Sequence, residues 1–198
     1  MNTKRLHQLL QFLKTIEAFK KIERKVWYGD IERAETDVEH TWHLAMFLMV
    51  FEKELPKKAN RLKMLKMVLI HDLVEVYAGD TFAFDKEAKK DQKERESGAA
   101  KKLFSQLPPD MDREFTKLFN EYEKGETKEA QIVKSFDKIQ PILQNILSHG
   151  RSWKEHGVSH KDVDDYKRHL MQHDATILKV YETLLEEALK KELFSKEK

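Results

Sequence analysis

An all-α, single-domain fold is the class this chain predicts, on three observations. Apolar residues recur at helical spacing in one stretch after another, only six Gly and four Pro interrupt 198 residues, and the charged segments between the apolar stripes run long. A chain of this length can bury a sizeable core, and 40% hydrophobic with 36% charged residues is the mix of a globular domain in water. A net charge of +2 gives no reason to expect nucleic-acid binding. With no cysteine there is no disulfide, thiolate ligand or cysteine nucleophile, so any metal must be held by His and carboxylate. The longest apolar run, residues 44–51, is too short to span a bilayer, and residues 1–5 lead into an amphipathic pattern rather than a signal peptide. A cytoplasmic protein is the expectation.

The first element places Leu6, Leu9, Leu10, Leu13, Ile16 and Phe19 on one stripe and should be a packing helix. Residues 22–39 then lose periodicity and interleave Arg24, Lys25 and Arg33 with Trp27 and Tyr28. Such a loop can grip a phosphate and stack on a base, and equally it can be a solvated loop. Thr36-Asp37-Val38-Glu39 reads as a capping box opening a helix through Trp42, Leu44, Phe47, Leu48 and Phe51. His40 shares a face with Leu44 and Phe47 and should point inward, and Pro56 marks the exit.

The central helix is expected over residues 60–77. Its apolar run, residues 67–77, has His71, Asp72 and Glu75 set inside it on one face. A carboxylate taken out of water without a partner costs several kcal/mol, so something must compensate the cluster. A divalent cation is the most economical candidate, and hydrogen bonds to neighbouring helices are the bland alternative. The His-Asp pair alone proves little, since His173-Asp174 supplies a second. Gly79 suits a left-handed cap, and Asp80 follows in a turn close enough to reach the same cavity.

Residues 86–102 are dominated by charge and suggest a solvated helix face or a mobile lid. Pro108-Pro109-Asp110 punctuates, and Phe115, Leu118, Phe119 and Tyr122 mark a helix closed by Lys124-Gly125. The next starts near Thr127, with Ile132, Val133, Phe136, Ile139, Leu143 and Leu147 as its stripe and Asp137 at the margin. Pro141 cannot donate to the carbonyl of residue 137, so a kink is expected there. A polar loop, residues 150–158, leads to Ser159-His160-Lys161-Asp162, which opens a final helical stretch from Val163 to Leu189. His169 and His173 are read as surface or packing residues, because the Glu of a metalloprotease pattern is missing between them. No repeat, glycine loop or linker appears.

His40, His71, Asp72 and Asp137 follow the order H…HD…D. With residues 33–40 (Arg33 through His40), 71–80 (His71 through Asp80) and 133–140 (Val133 through Gln140), the chain resembles the HD-domain metal-dependent phosphohydrolases, and within them the 5′-deoxynucleotidase-like branch. The similarity covers most of residues 1–145. It implies one helical HD domain over residues 1–198, with the signature within 22–145 and helices in 150–198 completing the bundle, usually as a homodimer. It implies one divalent ion, Mn²⁺, Co²⁺ or Mg²⁺, on His40, His71, Asp72 and Asp137; the set leaves positions open for water and phosphate oxygen. By the same resemblance Glu75 and Asp80 are the catalytic acids, and Arg33 and Glu35 sit beside the site.

Arg24, Lys25 and Trp27 are the candidates for phosphate and sugar, offset by about a residue from their place in relatives, and Gly29 stands where relatives often carry Arg. Val76 replaces the second acid of guanosine-tetraphosphate hydrolases, which weakens that reading. The implied reaction is hydrolysis of a (deoxy)nucleoside 5′-monophosphate to nucleoside and phosphate. Two alternatives stay open: the same centre acting on a cyclic nucleotide or another phosphate ester, and a metal-loaded HD domain that binds a ligand without turnover. The expected partner is a small nucleotide, with neither nucleic acid nor membrane.

Overall fold

Local sequence signals decide where the helices begin. A computed structural model describes residues 1–196. Asn2 accepts from the Arg5 amide to start α1 (Thr3–Thr15), and the first stripe then tightens into a 3₁₀ segment, Ile16–Lys21, instead of continuing as one helix. Only Phe12 and Phe19 of that stripe are buried, while Leu6, Leu10 and Leu13 stay exposed. The aperiodic stretch after it is not a loop: β1 (Glu23–Trp27) and β2 (Ala34–Thr36) pair antiparallel, Glu23 opposite Thr36 and Trp27 opposite Ala34.

Thr36 makes both halves of the expected capping box with Glu39, opening α2 (Asp37–Val50). The central helix differs from expectation. It stops as α3 (Arg61–Ile70), and a one-turn α4 (Glu75–Ala78) follows. Between them the Leu73 amide reaches Ile70 and the Glu75 amide reaches Asp72, so the backbone winds in three-residue turns. The apolar run continues through the break because this stretch is buried on both sides of it. Gly79 ends α4 at φ 73, ψ 155, outside the left-handed helical well, whereas Gly125 takes that well at φ 65, ψ 23.

The charged stretch forms a helix with a solvated face, as expected, with Lys93, Glu94, Lys101 and Lys102 exposed, but its other face is packed. It forms α5 (Gln92–Phe104), whose Ala99, Ala100, Leu103 and Phe104 are buried against α4 and α6 (Pro109–Lys124). Arg95 ties it down through the Ala78 carbonyl, the Thr81 hydroxyl and the Ala88 carbonyl. α7 (Lys128–Leu147), capped by Thr127, is the axis of the molecule and packs against α2, α3, α6 and β1. Its Ile132, Val133, Phe136, Ile139 and Ile142 are fully buried, each contributing about 1.5–3 kcal/mol.

Beyond it lie α8 (Arg151–Glu155), α9 (His160–Lys167) and α10 (Ala175–Lys190). The last predicted stretch is thus broken, by a 3₁₀ segment at Arg168–Leu170 and by Asp174, which caps α10. α10 returns to α7 and closes the bundle.

Candidate metal centre and active site

Four side chains from α2, the α3–α4 turn and α7 converge beneath the β hairpin. His40 is fully buried and is held through Nδ1, 2.8 Å from Gln140 Oε1. Its Nε2 then faces the acids, 3.1 Å from Asp137 Oδ1 and 3.7 Å from Asp72 Oδ2. His71 is oriented the same way: Nδ1 sits 2.8 Å from the Val68 carbonyl, while Nε2 lies 3.1 Å from Asp72 Oδ2 and 3.8 Å from Asp137 Oδ1. That nitrogen is buried without a well-formed hydrogen bond. One donor atom from each of His40, His71, Asp72 and Asp137 lies within 4.8 Å of the others. Two imidazoles anchored at Nδ1, their free nitrogens turned toward two carboxylates, fit a divalent ion.

Electrostatics agree with that fit. Burial works to raise both acids, yet the His71 charge and hydrogen bond, with Arg24, hold Asp72 below the usual carboxylate range. Lys138 and the hydrogen bonds of His40 and His71 do the same for Asp137. Asp137 also accepts from Tyr122 Oη at 2.7 Å and from Lys138 Nζ at 2.8 Å. Burial lowers His71, but the Asp72 charge and the hydrogen bonds of both acids outweigh it and pull the imidazole up to about 10. His40 goes the other way, lowered by burial and then by Arg24. A cation at this spot competes with a proton for the His71 lone pair, so binding it releases that proton.

A second cluster adjoins the first. Arg24 Nη1 bridges Asp37 Oδ1 at 3.1 Å and Asp72 Oδ2 at 3.0 Å. Asp37, Glu75 and Asp80 bring carboxylate oxygens within 4.8 Å of one another, a further set able to hold a cation. Burial, with the Asp72 charge next, pushes Asp37 up to about 6. Burial, then Asp72 and Asp37, pushes Glu75 well above its ordinary value, and burial also raises Asp80. Arg24, His71, Asp72, Glu75, Asp80, Tyr122, Asp137 and Lys138 line one cavity of about 430 Å³, whereas His40, Asp37 and Gln140 do not border it.

Of the residues singled out in the hairpin, Arg24 and Lys25 border that cavity. Glu35 stands behind it, buried, accepting from Gln140 Nε2 at 2.7 Å and lying 4.0 Å from Arg24 Nε. Trp27 and Arg33 do not reach it. Trp27 ends β1 past an irregularity in its pairing, and there its indole donates to Glu155 at 2.6 Å and Arg151 stacks 3.3 Å from its ring. Arg33 sits past the hairpin turn, pinned to Glu39 and over the Tyr28 ring.

His173 packs against the Ser135 hydroxyl, as expected, whereas the exposed His169 borders the cavity. Asp37, Tyr122, Lys138 and Gln140 were not foreseen in the site. Helical spacing carries a signal for two of them, since Gln140 lies three residues after Asp137 and Asp37 three before His40, hence on the same faces.

Comparison with known proteins shows the family. A family model for the HD domain matches residues 16–178. The human protein named 5′-deoxynucleotidase HDDC2 is 32% identical over 137 residues, which is 69% of this chain and 66% of that protein, just under two thirds of its length. The Dictyostelium discoideum protein of the same name is 33% identical over 141 residues, 68% of this chain and 74% of its own. Among solved structures, a "predicted metal-dependent phosphohydrolase" from Magnetospirillum magnetotacticum superposes with a TM-score of 0.89 at 34% identity, covering 98% of this chain and 97% of that one. The fold, the H…HD…D centre and these matches agree, and the chain belongs to the HD-domain family.

Proposed function

We propose that the chain is a metal-dependent phosphomonoester hydrolase that converts deoxynucleoside 5′-monophosphates to deoxynucleoside and phosphate. The convergence of His40, His71, Asp72 and Asp137 at a cavity that also admits Arg24, Glu75 and Asp80 carries the reading. Relatives named 5′-deoxynucleotidase at about 30% identity support the substrate class. The four residues would hold one divalent ion of the Mn²⁺, Co²⁺ or Mg²⁺ type. Such an ion supplies Lewis acidity toward a phosphate oxygen and a water of lowered pKa.

The chain's own groups do the rest. Arg24 faces the cavity between two acids and offers charge to the phosphoryl group, which needs positioning and electrostatics more than covalent chemistry. Burial raises both Glu75 and Asp80, and these are the two acids placed to take the proton of the attacking water and to protonate the departing 5′ oxygen. Lys25 borders the same mouth and attracts the anionic substrate. Glu35 holds Arg24 and Gln140 in place from behind.

One domain over residues 1–198 forms the unit, with α8 to α10 completing the bundle. It works as a homodimer in the cytoplasm; Trp42, Met49 and Val50, 65%, 63% and 70% exposed on one face of α2, offer an apolar surface for a second copy. No helix among the described residues is long and apolar enough to cross a membrane.

The test is phosphate release from dAMP, dGMP, dTMP and their ribose counterparts with Mn²⁺, Co²⁺ or Mg²⁺ supplied. Deoxynucleotides should be hydrolysed, and His71→Ala or Asp72→Ala should abolish release. Equal release from either variant would end the proposal.

A further inference from the structure

We infer that the wall of the cavity built by α7 and α9 is a second anion site, which takes a second phosphate group carried by a nucleotide. The inference rests on the reading of the four-residue centre as the seat of the first phosphate. Its central observation is Lys167, the last residue of α9. The side chain is 4% exposed, lines the cavity, and gives one hydrogen bond, from Nζ to the Lys138 carbonyl at 2.8 Å. No carboxylate among the described residues lies within 4.0 Å of that ammonium. An ammonium has three donors, and a buried one without a counter-charge costs several kcal/mol.

The neighbours deepen the demand for an anion. Lys134 and Lys89 line the same cavity, and neither has a carboxylate partner among the described residues. Lys134 lies 4.8 Å from the Tyr122 ring centre, and Lys89 Nζ is 3.0 Å from Tyr166 Oη. Lys138 is the one cation of this wall with an acid, Asp137. Burial, with the charge of Lys138 next, pushes Lys167 down to about 7, the response of an amine among cations. Glu96 and Glu123 border the cavity from α5 and α6, yet the charges that act on Lys167 are Lys138, Asp137 and Arg24. A phosphate group entering between α7 and α9 supplies the missing acceptors and negative charge at once.

A nucleotide can carry that second phosphate as a 5′-diphosphate or as a 3′,5′-bisphosphate. Calorimetric titration of the Mn²⁺-loaded full chain, with each ligand carried as its 5′-phosphonate analogue (CH₂ in place of the 5′ oxygen) so that turnover does not interfere, separates them. Deoxyadenosine 5′-monophosphate, 5′-diphosphate and 3′,5′-bisphosphate are compared on wild type, Lys167→Met and Lys134→Met. One of the two doubly phosphorylated ligands should bind wild type at least about tenfold tighter than the monophosphate. That preference should vanish in Lys167→Met and shrink in Lys134→Met, which changes a less buried position should the first variant fail to fold.

Equal binding of all three ligands by wild type would overturn the inference, as would a preference that survives both substitutions. In that case Lys167 is a neutral packing amine. Equal binding alongside intact, metal-dependent phosphate release sinks the second site alone. A wild-type preference that Lys167→Met abolishes, found in a protein that releases no phosphate, sinks the hydrolase reading instead.

Discussion

The Nδ1 of His40 and the Oε1 of Gln140 are 2.8 Å apart, and this contact decides which imidazole nitrogen faces the acids. The amide is itself oriented by its Nε2, which donates to Glu35 at 2.7 Å, so Oε1 must accept and His40 Nδ1 must carry the proton. Gln140→Leu leaves a buried N–H without an acceptor and frees the ring to change tautomer. Metal affinity should fall about 10–100-fold, measured by calorimetry with Mn²⁺. Thermal unfolding of the metal-free protein should register a loss of about 1–3 kcal/mol.

Arg24 holds two carboxylates that would otherwise face each other, so its removal harms more than phosphate binding. Arg24→Met should lower kcat/KM for dAMP by about 10²–10³-fold. Arg24→Lys should recover little of it, because a point-like ammonium that meets Asp37 and Asp72 as Nη1 does has no second nitrogen to face Glu35, which lies 4.0 Å from Nε. Wild-type kinetics in Arg24→Met would remove it from the site.

Glu35 makes stability depend on pH. Burial pushes it up to about 7, against the pull of Arg24 and the Gln140 hydrogen bond, from an ordinary value of 4.5. Between those values the folded protein keeps a proton that the unfolded chain has released, so stability falls as pH rises from 4.5 to 7. The loss is on the order of 3 kcal/mol at its upper bound. Asp37, pushed up to about 6, adds a slope of the same sign. Urea unfolding at pH 5 and pH 8 should show wild type weaker at the higher pH, and Glu35→Gln should narrow the gap.

Gly150 begins α8 at φ 70, and a Cβ placed there would run into the Leu193 backbone carbonyl. Gly150→Ala should therefore cost about 2 kcal/mol or more, and a melting temperature lower by several degrees is the readout. Gly157 has φ 65 with open space around it, so Gly157→Ala pays only the backbone preference, about 1 kcal/mol.

The helical class and the four-residue centre were legible because both depend on periodicity and residue type. His40 announced itself by sharing a face with Leu44 and Phe47, and Asp137 by standing at the edge of an apolar stripe before Pro141. The break after Ile70 left no trace, since buried apolar residues continue across it, Met67, Val68 and Ile70 before and Leu73 and Val74 after. Trp27 and Arg33 were grouped with Arg24 because a string of bases and aromatics reads as one loop; the stretch pairs instead as an irregular hairpin, which leaves Trp27 to Glu155 and Arg33 to Glu39. Lys167 was unreadable for a different reason. A lysine in a charged segment is normally solvated, and only the tertiary contact between α9 and the Lys138 carbonyl buries it.

Asp137 meets His40 from 97 residues further along the chain. A growing polypeptide therefore carries its histidine-aspartate pair long before Asp137 leaves the ribosome. Pairing over such a separation comes late in folding, after the loop-closure entropy has been overcome. In a zinc finger, ion capture triggers folding; here it would mark the chain as already assembled, and nascent fragments ending before α7 would take up no ion at this centre.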